Sequence, residues 1–308
     1  MIKIVAHGGA GTIPDEFKQK YSQGIREATK IGYELLEHGS SALDAVEATV
    51  EYLEENPTFN AGRGSVLTIE EKFEMDAMIM DGSNLRIGGV MGLENFLHPI
   101  SISRAILEHD KHIFYAGAGA ERVARKYGFQ PVNPTELLTE RTKERIKKFK
   151  ESKLNDVTTF DPERRDKFGT VGAVALDEKG NLASATSTGG ILGKEPGRIG
   201  DTPIPGAGTY ADKNIAISAT GTGEFIIRSS LAYRITNYYE KNQSIYQATL
   251  QSLTDMKKLV SGQAGVIVLG KTGDFTAMYS TEDLAYAYID NQGKIIDFTM
   301  EKNGKVLI

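Results

Sequence analysis

The glycines of this chain are clustered, and the clusters limit what it can fold into. Glycine adopts backbone angles that other residues avoid and lets chains pass close together. Groups of it therefore mark sharp turns and close approaches rather than element interiors. The sequence has 308 residues and 33 glycines, where average usage of about 7% would give about 22. The surplus gathers at 8–11, 62–64, 169–172, 189–208 and 221–223. Short apolar runs lie between these clusters, as they do when many strands meet at tight turns. Two average domains or one large α/β unit both fit this length. At 40% hydrophobic residues the chain can build a large core.

What the chain lacks narrows its chemistry. It has no cysteine, which removes disulfide scaffolds, thiolate nucleophiles, Fe–S clusters and thiolate zinc sites. A formal net charge of -5 with 25% charged residues is neither a nucleic-acid footprint nor an acidic tail. The apolar run at 4–6 is too short for a signal peptide, and the stretch 264–269 is too short for a membrane span. A soluble, cytoplasmic protein with no membrane or nucleic-acid partner is expected.

Periodicity sets out the elements. Residues 2–6 read as a buried strand running into a glycine turn. Apolar residues at helical spacing from 17 to 53 predict two helices, broken at His38-Gly39-Ser40-Ser41. Strands are expected at 73–80 and 85–90, and helices at 99–109, 117–127 and 135–150. The stretch 141–167 carries ten Lys/Arg and six Asp/Glu and reads as a solvated helix followed by a mobile linker over 151–168. At Gly169 the texture switches to strands at 170–177 and 181–187. Next come a Gly/Pro loop at 188–208, a strand at 215–220, helices at 224–239 and 245–258, and four closing strands.

Two motif matches fail on context. Gly265-Val266-Ile267-Val268-Leu269-Gly270-Lys271-Thr272 fits the P-loop pattern, but its middle residues read as a strand and no helix follows, so Lys271 sits in a hairpin turn. His7-Gly8-Gly9-Ala10-Gly11 resembles a lipase oxyanion turn, but the sequence has no G-x-S-x-G elbow. The five histidines form no metal signature.

A threonine becomes a nucleophile when it heads a chain, because its own α-amine serves as the base. That amine has a reference pKa of about 7.7–8.0. Gly169-Thr170, where a charged stretch meets a core strand, is where such an end could be cut free. From this junction alone, a linker entering a strand is the simpler reading. Thr188, at the end of the neighbouring strand, can approach Thr170. Thr220-Gly221-Thr222-Gly223-Glu224 lies between a strand and a helix, where N–H groups and a hydroxyl can stabilise an oxyanion. Arg198 and Asp201 could hold the carboxylate and ammonium of a free amino acid, although for that pair alone a local salt bridge is the better reading.

These motifs together resemble the plant-type asparaginase and isoaspartyl aminopeptidase family of N-terminal-nucleophile hydrolases. The similarity runs through His7–Gly11, the Phe59–Ser65 loop, Glu74-Met75-Asp76-Ala77, Gly92 to Pro99, Gly169–Gly172, Ser187–Gly190, Gly197–Gly208 and Thr220–Glu224. Two segments depart from the family pattern: Arg164–Gly169 before the junction, and Tyr279–Ala285. The resemblance implies an α+β fold, a four-layer αββα sandwich. It implies one domain that cuts itself into 1–169 and 170–308 and pairs as a dimer of cleaved protomers. Thr170 would be the nucleophile, Thr188 its positioning partner, and Thr220 with the Gly221 N–H the oxyanion hole. Arg198, Asp201, Gly221 and Gly223 would bind the α-carboxylate and α-amine, and Asn60 would touch the amine of Thr170. The loop from Glu55 to Asn60 would hold a structural sodium ion, with no other cofactor. The implied substrates are L-asparagine and β-aspartyl peptides. Glycosylasparaginase is the related alternative, and a glycine-rich nucleotide-binding module the unrelated one.

Overall fold

The computed structural model describes residues 1–155, 169–300 and 304–306. The first part of the chain forms β1 (Lys3–Gly11), α1 (Asp15–Glu37), α2 (Ala42–Glu55), β2 (Met75–Asp81), β3 (Arg86–Leu93), α3 (Pro99–His109), β4 (Phe114–Ala116), α4 (Ala118–Lys126), α5 (Pro134–Leu137) and α6 (Glu140–Asn155). The second part forms β5 (Val171–Leu176), β6 (Leu182–Thr188), β7 (Thr209–Ala211), β8 (Ile215–Gly221), α7 (Gly223–Ser229), α8 (Leu231–Asn242), α9 (Ile245–Val260), β9 (Ala264–Gly270), β10 (Phe275–Tyr279), β11 (Asp283–Ile289) and β12 (Ile295–Asp297).

The strands make two sheets, ordered β12-β11-β1-β5-β6-β2-β3-β4 and β10-β9-β8-β7. The larger sheet interleaves both parts of the chain, with β5 and β6 lying between β1 and β2. Its neighbours are antiparallel except for β3 and β4. Side chains alternate between sheet faces, which explains the packing. Ile4, Val171, Ala173 and Ala185 join the core that includes Ile25, Ala28, Val46 and Val50 of α1 and α2. Ile217, Ala219, Val266 and Val268 pack with Ile226, Ile235, Leu253 and Met256 from α7–α9. The residues between them on the same strands turn toward the facing sheet, where β5 and β6 meet β8 and β1 meets β9.

Most expected elements form, with four differences. The helix expected at 224–239 breaks at Ser230, which is left-handed (φ 48). There the Ala232 and Tyr233 N–H groups donate to Ala207 and Gly206 carbonyls at 3.2 and 2.8 Å, so the loop takes the bonds a continuous helix would need. The helix expected at 135–150 forms as α5, capped by Asn133, and then α6. Strands β4 and β7 arise where none is expected. Each has three residues, too few for periodicity to show. Residues 151–155 of the expected linker extend α6; its remainder and Arg164–Phe168 of the departing segment lie outside the described residues. The P-loop match is strand β9 and a turn into β10, and Lys271 Nζ donates to Asn214 Oδ1 at 3.1 Å. Among the described residues no helix is long and apolar enough to cross a membrane.

Candidate active site

Strand register builds the site. His7 pairs with Gly172, Gly172 with Thr186, and Thr186 with Met78. Cross-strand partners share a face, so His7, Gly172 and Thr186 form one row facing the smaller sheet. The Val171–Ser187 pair, continued by one residue, sets Thr170 across from Thr188, which in turn pairs with Asp76. The second row is thus Thr170, Thr188 and Asp76. Thr170 and Thr188 are 5% and 3% exposed, and Asp76 is fully buried.

Glycine clears the space between the sheets. A side chain at Gly172 would collide with Ser218 Oγ and His7 Nε2. In its absence, His7 Nε2 reaches Ser218 Oγ at 2.8 Å. Ser218 Oγ is 2.8 Å from Thr186 Oγ1, which is 2.7 Å from Thr209 Oγ1. Thr209 Oγ1 also lies 2.9 Å from the Thr202 carbonyl. Burial pushes the His7 imidazole down to about 3, opposed by the Thr170 backbone, so His7 is neutral at working pH.

The β1 bulge at Gly8-Gly9 meets the junction. Gly9 has φ +110, and a side chain there would begin 2.7 Å from Gly169 N. A side chain on Gly169 would collide with Thr220 Oγ1, which accepts from Ala10 N at 3.2 Å. Gly169, Thr170, Thr188 and Thr220 are thereby brought together, with Gly221 closing β8 beside Thr220. Asn60 ties the 59–66 loop to this cluster. Its carbonyl accepts from Gly189 N at 2.9 Å, its Nδ2 donates to Gly190 O at 2.8 Å, and its Oδ1 accepts from Val66 N at 2.9 Å. Gly190 N donates to Thr188 Oγ1 at 2.9 Å.

Arg198 and Asp201 do not pair. Arg198 Nε and Nη2 donate to the two Glu224 carboxylate oxygens at 2.9 Å each. Asp201 is buried, and its Oδ2 has no hydrogen-bond partner. Burial pushes its carboxyl up to about 7, offset in part by its own backbone N–H and by Arg198. Gly223 lies against both: a side chain there would begin 2.9 Å from Arg198 Nη2 and 3.0 Å from Asp201 Oδ1.

Several residues here were not assigned from sequence. Glu224, Ser218, Thr186 and Thr209 join through contacts far along the chain, which no local pattern reveals. Glu54 on α2 is fully buried below the site. Its Oε1 accepts from Ser187 Oγ at 2.5 Å and from Ile100 N at 3.1 Å. In the 55–60 loop, the Pro57 and Phe59 carbonyl oxygens both lie 2.7 Å from where a Gly64 Cβ would stand. That close approach explains why glycine stands at position 64. Among the described residues no group of three or more His, Cys, Asp or Glu could hold a metal.

A family model described as asparaginase matches residues 1–297. The chain belongs to that family. It is 44% identical over 287 residues to the isoaspartyl peptidase/L-asparaginase of Macaca fascicularis, covering 93% of this chain and 92% of the relative. The Homo sapiens protein of that name is 43% identical over 287 residues, with 93% and 92% covered. The Danio rerio one is 41% identical over 293 residues, with 95% and 93% covered. Family membership thus rests on nearly the whole chain, both sides of the Gly169-Thr170 junction included.

Proposed function

We propose that this chain is a threonine amidohydrolase that releases L-aspartate from L-asparagine and from β-aspartyl peptides. It first cuts itself between Gly169 and Thr170 into 1–169 and 170–308. One observation carries this reading: a buried threonine at the start of a core strand, with Thr188 across from it and Thr220 against the preceding glycine. The family and the relatives' names support the same reaction class.

In maturation, Thr170 Oγ attacks the Gly169 carbonyl carbon, and the acyl group passes from nitrogen to oxygen. Water then cleaves the ester, leaving a Gly169 carboxylate and a free Thr170 amine. In turnover, that amine takes the Oγ proton as Oγ attacks the side-chain carbonyl of the substrate. The protonated amine returns the proton to the leaving ammonia or amino acid. Water hydrolyses the aspartyl ester and regenerates Thr170. Thr220 Oγ1 and the Gly221 N–H face the developing oxyanion, where fixed donors act most strongly. Thr188 and Asn60 hold the nucleophile's surroundings. Arg198 binds the α-carboxylate, while Asp201, with the Gly221 and Gly223 backbones, takes the α-ammonium.

The finer architecture belongs to this reading. The α1–α3 helices, two facing sheets and α7–α9 stack as a four-layer αββα sandwich, supported by contacts of α2 with β5 and β6 and of both with β8. The cleaved protomer pairs with a second copy, as the resemblance implies, and works in the cytoplasm. A sodium ion held by carbonyl oxygens of the 55–60 loop would supply structural charge only.

Intact mass of the purified protein, with hydrolysis of L-asparagine, a β-aspartyl dipeptide and glycosyl-asparagine, tests the proposal. Two fragments with Thr170 at a new N-terminus are expected, and Thr170→Ala should leave one inactive chain. A full-length wild type that still hydrolyses β-aspartyl peptide would overturn the amine mechanism. A preference for glycosyl-asparagine would move the assignment to that substrate.

A further inference from the structure

The Glu74-Met75-Asp76 segment matches the family without receiving a role from the chemistry above. Glu74 and Asp76 are two apart on an extended chain, so their side chains share a face. Both are buried. Asp76 Oδ1 accepts from Gly92 N at 2.8 Å, and its Oδ2 accepts from Gly200 N at 3.1 Å. Glu74 Oε2 accepts from Gly197 N at 2.8 Å. The Glu74 carbonyl accepts from Lys194 Nζ at 2.5 Å, and that lysine is only 2% exposed.

These ties fall on residues 194, 197 and 200. They bracket Arg198 and end one residue before Asp201, so the loop that carries both charged groups is fastened at regular intervals. Its anchor is the start of β2 and the residue before it, and Asp76 sits in register with Thr188 in the row of Thr170. Two of the three bonds end on carboxylates, which makes them charge-assisted and geometrically selective. The anchor and the loop lie on opposite sides of the Gly169-Thr170 junction.

We propose that Glu74 and Asp76 are positioning residues for substrate. They set Arg198 and Asp201 at the spacing of an α-carboxylate and an α-ammonium, so they govern affinity for the aspartyl group rather than the rate of bond breaking. This rests on the proposed hydrolase reading.

Kinetics with L-asparagine and inhibition by L-aspartate test it. The Asp76→Asn side chain can accept from one of its two N–H partners but turns an NH2 toward the other. Glu74→Ala removes the Gly197 tie and leaves the backbone bond to Lys194. Each should raise KM and the L-aspartate Ki together by about 10- to 100-fold. The kcat and the extent of chain cleavage should stay within about threefold, the mark of lost uniform binding. Glu74→Gln keeps an acceptor for Gly197 and should recover most of the affinity lost in Glu74→Ala. A fall in kcat at unchanged KM would overturn the proposal. So would a Glu74→Gln variant as impaired as Glu74→Ala. If Asp76→Asn does not fold, the Glu74 pair decides alone. A wild type inactive on both substrate classes would instead overturn the hydrolase reading. An active wild type whose variants keep their KM overturns only the positioning role.

Discussion

If Asp201 takes the substrate's α-ammonium as proposed, its burial makes substrate affinity depend on pH with a definite sign. Burial moves its carboxyl from 3.8 to about 7, a difference of ~4 kcal/mol at 1.36 kcal/mol per pKa unit. An α-ammonium needs the ionised form as its partner. Above about pH 8 the carboxylate is almost fully charged and affinity is flat. One pH unit below its pKa only about a tenth of the protein is competent, so KM for L-asparagine should rise about tenfold between pH 8 and pH 6. The substrate amide is neutral and its ammonium stays charged across this window, so neither adds a slope. Protonation of the Thr170 amine lowers kcat over similar pH values, which is why KM and not rate is the readout. Calorimetry in buffers of different ionisation heat should show nearly one proton released on binding at pH 6 and almost none at pH 8.5. Unliganded stability follows the same group. The folded state holds a proton that the unfolded state loses between pH 3.8 and about 7, so stability falls as pH rises through that window and then levels. Asp201→Asn should flatten both slopes while binding weakly throughout. A KM independent of pH between 5.5 and 8, or binding without proton release at pH 6, would refute the reasoning.

Two further outcomes follow from packing. Ser218→Ala leaves His7 Nε2 and Thr186 without the hydroxyl between them. An unsatisfied buried polar group costs about 1–3 kcal/mol, so the urea midpoint should fall with little change in m. If the 55–60 loop holds sodium through its carbonyl oxygens, replacing sodium chloride by choline chloride at equal ionic strength should lower the thermal midpoint. An unchanged midpoint would remove the ion from this account.

The sequence exposes those parts of the site whose chemistry is local. The Gly169-Thr170 junction alone reads as a linker entering a strand, and only its company with the Thr188 and Thr220–Glu224 motifs singles it out; the structure brings Gly169, Thr170, Thr188 and Thr220 together. The two-residue period of strands brings Thr188 opposite Thr170 without knowledge of the fold. The Arg198–Asp201 spacing also reads correctly as two charged groups on one loop, but not what holds each. Arg198 is taken by Glu224, 26 residues away, and Asp201 by no side chain. Glu74, Asp76 and Lys194 are buried charges, and only tertiary packing decides whether such charges face one another. The break at Ser230 was hidden for the same reason, because its cause is a loop carbonyl rather than a helix-breaking residue.

Polar atoms buried without partners are rare in native folds, and two of the places where they occur here contrast. Glu54 Oε2 and His98 Nδ1 are without formed hydrogen bonds but lie 3.5 Å apart, so each offsets the other's charge. Asp201 Oδ2 and the neighbouring Thr202 Oγ1 have no such counterpart, and Asp201 stands against the Gly223 backbone at the loop that bears Arg198. A fold that spends hydroxyls on satisfying Ser218, Thr186 and Thr209 in an unbroken row, and then leaves a carboxylate oxygen bare a few residues away, is treating the two positions differently. The row stabilises the space between the sheets. On the proposed reading, the bare oxygen destabilises the unliganded protein at neutral pH, and the substrate's ammonium offsets that cost. On that reading, the same burial that raises the Asp201 pKa favours an ammonium over a neutral group, because a charge restores what desolvation removed.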